Sequence, residues 1–192
     1  FYSGNLVTDA GLTPSTENAN FPITNIKDSR RTKVFRSTTS SDEIVIDFGT
    51  AQDVDSVIVV DNKRNGFGFD SFTFEMNATN SWGSPSFSIP VTLDNQFGIG
   101  IANFSNQNHQ YARVSLTSSS ASYCELSKLF VGKKLDIGRG PNFSWTYQEK
   151  DLSIFKENRY GQKFIDLINK QKVINLQISL MDKDQLDLLF EL

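Results

Sequence analysis

Between Glu43 and Val60 the chain reads EIVIDFGTAQDVDSVIVV. Ile44, Ile46 and Phe48 alternate with Val45 and Asp47, the period of a strand with one buried face. Gly49 breaks the run, and Thr50 to Asp53 has turn-like composition. Val54 to Val60 is β-branched almost throughout, which predicts a second strand buried on both sides. The period of two recurs in Phe69 to Met76, in Phe87, Ile89 and Val91, in Tyr111 to Leu116, and in Tyr123 to Val131, where Cys124, Leu126 and Leu129 point inward. Short strands at intervals of roughly ten residues, separated by Gly, Asn, Ser and Pro, predict an all-β sandwich. Asn5 to Asn20 is polar and turn-rich and predicts an arm or a meandering loop.

Gly132 to Pro141 (GKKLDIGRGP) shifts the composition to Gly, Lys and Pro and divides the chain into residues 1–133 and 134–192. Beyond it, Phe143, Trp145 and Tyr147 alternate, as do Ile174, Leu176, Ile178 and Leu180. Asp182 can cap a helix from Lys183 that puts Leu186, Leu189 and Phe190 on one face and runs to the last residue. Tyr160 to Ile168 fits strand or helix. The expectation is a β-sandwich followed by a smaller C-terminal α+β extension that serves assembly.

Composition narrows the function classes. The 192 residues carry a net charge of −3, which argues against general affinity for nucleic acid or an anionic membrane. No apolar stretch approaches the roughly 20 residues of a spanning helix. Phe1-Tyr2-Ser3-Gly4 shows no signal-peptide pattern, so synthesis in the cytoplasm without a leader is expected. One cysteine excludes an internal disulfide. Sixteen phenylalanines against five tyrosines and two tryptophans read as core material, since Phe has no polar atom to satisfy.

Catalytic groupings do not emerge. The one histidine, His109, sits in the polar run Asn106 to Gln110 and reads as a solvated loop residue. Cys124 lies beside Leu126 in a strand, the setting of a buried structural thiol. There is no G-x-S-x-G, phosphate-binding loop or H-E-x-x-H. Asp53-Val54-Asp55 lacks the graded spacing of a calcium loop. The chain is therefore expected to be no enzyme and to need neither metal nor cofactor.

Two binding readings remain. Lys27 to Arg36 holds five cations against Asp28 alone. Its arginines either pair with Asp28, Asp42 or Asp47 to fix a loop, or anchor a subunit contact; nucleic acid is the weakest reading. Candidate subunit-contact residues are Arg30, Arg31, Arg36, Trp145, Tyr147 and Tyr160, with Phe35 taken as core. For a glycan, the physics asks for an exposed aromatic face and planar polar groups on loops at one end of a sandwich. Asn62, Arg64, Phe67, Asn80 and Trp82 meet that composition, although Trp82 packed over the sandwich edge reads equally well.

Residues 1–133 resemble the discoidin or coagulation-factor C-type family of galactose-binding-like jelly rolls. Val34-Phe35-Arg36-Ser37 stands where that family has Trp-x-Ser, with Phe35 for the usual Trp. Ile44 to Gly49 is similar to its Asp-Leu-Gly strand, Val54 to Val60 to the strand that follows, and Gln110 to Val114 to its Arg-Tyr strand. Glu125 to Gly132 resembles its closing Glu-Leu-x-x-Leu-x-Val-x-Gly. The family's hallmark cysteines are missing. Phe21 to Ile26 with Asp28 to Ser37 also resembles the opening of tailed-bacteriophage virion proteins, whose jelly roll is followed by an Arg-Tyr-Gly segment, here Arg159-Tyr160-Gly161. That resemblance implies a structural role in the virion, in the tail, with other virion proteins and copies of the chain as partners. The alternative is a carbohydrate-binding module that recognises a host receptor or accompanies a secreted enzyme.

Overall fold

In the computed structural model, described for residues 2–61, 67–134, 146–151, 154–157, 163–166 and 170–175, the chain forms two compact units, Phe1–Leu135 and Asp136–Leu192. The first unit contains ten strands: β1 (Tyr2–Ser3), β2 (Gly11–Pro14), β3 (Phe35–Arg36), β4 (Ser41–Val60), β5 (Ser71–Asn77), β6 (Phe87–Pro90), β7 (Leu93–Asp94), β8 (Ile99–Thr117), β9 (Glu125–Leu126) and β10 (Lys128–Lys134). All described pairings are antiparallel, in the order β1-β10-β4-β8-β5-β6, with β2 on β4, β7 on β8 and a separate β3-β9 pair.

The two long strands make the sandwich. Twenty residues of β4 would span about 65 Å if straight, far beyond one domain, so the strand bends. Gly49 sits at the bend with φ +77°, a value its missing Cβ allows. The register with β8 slips there, between Asp47/Tyr111 and Gln52/His109. Residues 41–47 pair with 111–117 in one layer, beside β2, β5 and β6. Residues 56–60 pair with 99–103 in the other, beside β10 and β7. The layers meet face to face: Phe104, from the second, packs on Phe74 at 5.8 Å and on Phe87 at 4.6 Å between ring centroids. One core joins both, including Phe35, Ile44, Ile46, Val57, Phe72, Phe74, Met76, Val114, Leu116 and Leu129, all essentially buried. The fold is an all-β jelly-roll sandwich.

Several expectations are corrected. Gly11–Pro14 is a strand and Leu6–Thr8 a single 3-10 turn, because the chain pairs Leu12 with Ile46 and Asn5 caps the turn at Val7 N–H. The polar run 106–110, expected as loop, lies within β8, because the long ladder with β4 overrides its composition. Val54 to Val60 is fully buried on one face, where Val54, Val57 and Val59 meet the core; on the other, Ser56 is buried, while Ile58, between Ile101 and Phe130, and Val60 are only part-buried. A sandwich has one interior, so each layer covers one of its faces.

In the second unit the described residues are all strand. β11 (Thr146–Asp151) pairs with β14 (Lys170–Asn175), and β12 (Ile154–Glu157) with β13 (Lys163–Asp166). The stretch that fitted either state is thus strand over Lys163–Asp166. Trp145, Tyr160, Leu176 to Leu180 and the helix expected from Lys183 lie outside the described residues.

Candidate functional site

Register assigns the loops to two ends. Ser41 pairs with Thr117 and Thr117 with Ser71, whereas Asp47 pairs with Tyr111 and Tyr111 with Asn77. Phe67 precedes Ser71, and Asn80 and Trp82 follow Asn77, so they leave opposite ends of a strand about 20 Å long. The glycan residues expected from sequence are therefore not brought together as one set. Phe67 packs on Phe69 at 4.9 Å, and its N–H donates to Asn95 at 3.4 Å. Trp82 lies on the outer face of the first layer with Arg113 4.9 Å from its ring centroid, and its Nε1 donates to Asn80 at 2.8 Å. Asn62 and Arg64 lie outside the described residues.

Four cations of the basic segment, Lys27, Arg30, Arg31 and Arg36, find partners within the chain. Arg30 pairs with Asp28 at 2.7 Å, which holds that carboxyl below the usual carboxylate range. Arg31 donates from Nε to the Asp61 carbonyl. Arg36 donates from Nε and Nη2 to the buried Glu125 carboxylate at 3.1 and 2.6 Å. Its guanidinium also lies between the rings of Phe21 and Tyr123, 4.2 and 4.3 Å from their centroids. Of the subunit-contact residues expected from sequence, Arg30, with its side chain 66% exposed, stands well out into solvent. Tyr147 sits in β11 opposite Ile174.

Cys124 is buried, its thiol donates to the Ser40 carbonyl at 3.3 Å, and burial pushes it up to about 11. Among the described residues no three His, Cys, Asp or Glu side chains could together hold a metal ion.

A concavity lies at the bend end, between the N-terminal turn and the β4–β8 bend. A groove of about 470 Å³ is lined by Gly4, Leu6, Gln52, Asp53, Asn108 and Lys133, with Gly132 as floor. A second hollow of about 270 Å³ adjoins it at Gly4, Leu6 and Gln52 and adds Asp9 and Phe48. Asn5 holds the turn in place: its side-chain amide donates to the Leu129 carbonyl at 3.0 Å and its Oδ1 accepts from Val131 N–H at 3.2 Å. The floor must be glycine, because a Cβ on residue 132 would stand 2.5 Å from the Gly4 carbonyl oxygen.

The polar wall of this groove is fixed in orientation. Asp53 Oδ1 accepts from Asn108 and Asn106 side-chain amides at 2.8 and 3.1 Å, and Lys133 Nζ stands 3.4 Å from Oδ2. The two amides, with a smaller share from Lys133, keep Asp53 ionised below the usual carboxylate range. Asn106 and Asn108 spend donors here, leaving their carbonyl oxygens as acceptors. Such an array of planar acceptors and one ammonium donor, beside Leu6 and Phe48, matches a hydroxyl-rich, uncharged ligand edge. The sequence pattern hid Asn106 and Asn108, because Asn106 to Gln110 read as a polar loop, and offered Asp53 only as a metal ligand.

No family model matches the chain, and no curated protein does. Solved structures do. A chitosan-binding module of the chitosanase/glucanase from Paenibacillus sp. IK-5 superposes with a TM-score of 0.52 at 22% identity, covering 68% of this chain and all of that one. The family 32 carbohydrate-binding module of Clostridium perfringens NanJ, in complex with galactose, gives 0.55 at 11%, covering 66% and 96%. A fucose-binding module from Streptococcus pneumoniae gives 0.57 at 13%, covering 69% and 100%. At these identities the likeness establishes the fold.

Proposed function

We propose that the first unit is a non-catalytic glycan-binding module whose ligand sits in the groove at the bend end. The observation that carries this is the clamped Asp53, held by two amides and an ammonium at the wall of a concavity large enough for a saccharide. Preset planar groups lose little freedom when a sugar replaces water, which is how small polar ligands gain affinity. The fold agrees: solved modules of this shape bind chitosan, galactose or fucose. With Asp9 and Asp53 against Lys133, the groove favours neutral over anionic sugars.

The virion setting rests on the resemblance of Phe21 to Ser37 and of Arg159-Tyr160-Gly161; a host-surface glycan would be the ligand of such a module on a phage tail. The test is a glycan array followed by titration calorimetry on Asp53→Ala and Asn108→Ala. Both variants are expected to lose binding at least tenfold while melting within a few degrees of wild type. Binding to no glycan, or unchanged binding in both variants, overturns the reading.

A further inference from the structure

We propose that the outer face of the first layer is a second glycan surface, on which Trp82 is the stacking platform for a linear, neutral polysaccharide. The inference rests on the glycan-binding reading above and extends it from a sugar in a groove to a chain across a sheet. Trp82 is only part-buried and stands outside the cluster that forms the core and the residues packed on it. Its orientation is nonetheless fixed from several sides. Arg113 lies under the ring, itself locked by Glu75 at 2.7 Å from Nε and 2.6 Å from Nη2, and by Glu43 at 2.9 Å from Nη1. The loop is tied down where Asn77 donates to the Ser81 carbonyl at 2.6 Å and accepts from Ser86 Oγ at 2.9 Å.

Shielding the Arg113 ion pairs needs only apolar bulk. The Nε1–Asn80 bond adds something shielding does not use, a set ring azimuth. A ring held this way is ready to stack on the apolar face of a pyranose without an ordering cost. Around it the face is polar. Tyr111 lies about 7 Å along β8 on the same face as Arg113, its hydroxyl oxygen accepting from Gln110 Nε2, which also donates to Asp47. A ring standing on a sheet face, with Tyr111 further along the same face, suits a chain lying across strands, since a terminal sugar needs concave walls. Glu43, Glu75 and Asp47 outnumber Arg113, so the face rejects anionic polymers.

The test is affinity electrophoresis of the full chain in gels containing a neutral β-glucan, a galactomannan or polygalacturonate, with calorimetry on short oligosaccharides. Trp82→Ala is expected to weaken retardation by the neutral polymers about tenfold, and Trp82→Phe to restore part of it. Trp82→Ala should keep its oligosaccharide affinity, and Asp53→Ala should lose that affinity while still being retarded. Retardation of Trp82→Ala equal to wild type overturns the platform and leaves the groove standing. Absence of retardation of wild type by either neutral polymer, or retardation by polygalacturonate alone, also overturns it. Loss in Trp82→Ala with unchanged oligosaccharide binding in Asp53→Ala supports the platform and removes the groove.

Discussion

Arg36 and Glu125 pair across the short β3-β9 ladder, and the two sides of the pair are unequally wet. The Arg36 side chain is 27% exposed and that of Glu125 only 4%. Arg36→Ala leaves a carboxylate stranded in the interior, a change that costs about 3–5 kcal/mol for a buried pair. Solvent entry past the truncated side chain moves this toward the low end, while the lost contacts to Phe21 and Tyr123 add about 0.5–1 kcal/mol each. The sum is about 4 kcal/mol. Glu125→Gln instead leaves a cation that water can reach, and should cost about 1–2 kcal/mol. Arg36→Met with Glu125→Leu removes both charges and should recover most of the loss. Urea unfolding of the full chain followed by far-ultraviolet circular dichroism measures all three; with a slope near 2 kcal/mol/M, the Arg36→Ala midpoint falls by about 2 M. Should Glu125→Gln prove as damaging as Arg36→Ala, the pair is not organised around a buried carboxylate and the argument fails.

Asp42 gives a pH prediction. Burial raises its pKa despite the bonds to Thr16 N–H and Oγ, which share Oδ1. A pKa raised on folding means that its stabilising contribution is complete below the unfolded value, near 3.9, and is lost as pH rises through the folded value. Asp42→Asn should therefore gain stability relative to wild type between acid and neutral pH; a difference independent of pH in urea melts would refute this. Cys124 should resist a disulfide-exchange reagent in native buffer and react at once in denaturant; rapid native labelling contradicts its buried, protonated state. Gly132→Ala pushes a methyl into the Gly4 carbonyl and should cost about 1–3 kcal/mol in urea melts and weaken groove binding. Phe74→Ala, at the meeting of the layers, should cost about 3–5 kcal/mol; a loss below 1 kcal/mol would mean the layers do not close there.

Alternation made the sandwich legible. Ile44, Ile46, Phe72, Phe74, Val114 and Leu116 each announce an inward face, and every one is buried. Cys124 was equally readable, because a thiol between apolar neighbours has few other fates. Period could not show that β4 and β8 each cross both layers, because a bend at Gly49 and a turn at Gly49 are written alike. The same blindness hid the groove, whose wall is assembled from residues 52–53, 106–108 and 133 by register. Trp82 was legible as an aromatic in a polar loop, but its bed on Arg113 comes from a residue 31 positions away in the numbering. Arg36, expected at a subunit contact or in a loop-fixing pair, engages Glu125, which no local pattern connects with it.

Occupancy of the bend-end groove by a sugar is open to direct observation. Amide chemical-shift mapping on the isotope-labelled chain, titrated with the best-scoring neutral oligosaccharide from an array, tests it most directly. Shifts are expected to concentrate at Gln52, Asp53, Asn106, Asn108 and Lys133, with unmoved signals at Phe67 and Asn95. Shifts confined to the Phe67 and Asn95 end, or no shifts at millimolar sugar, would contradict it.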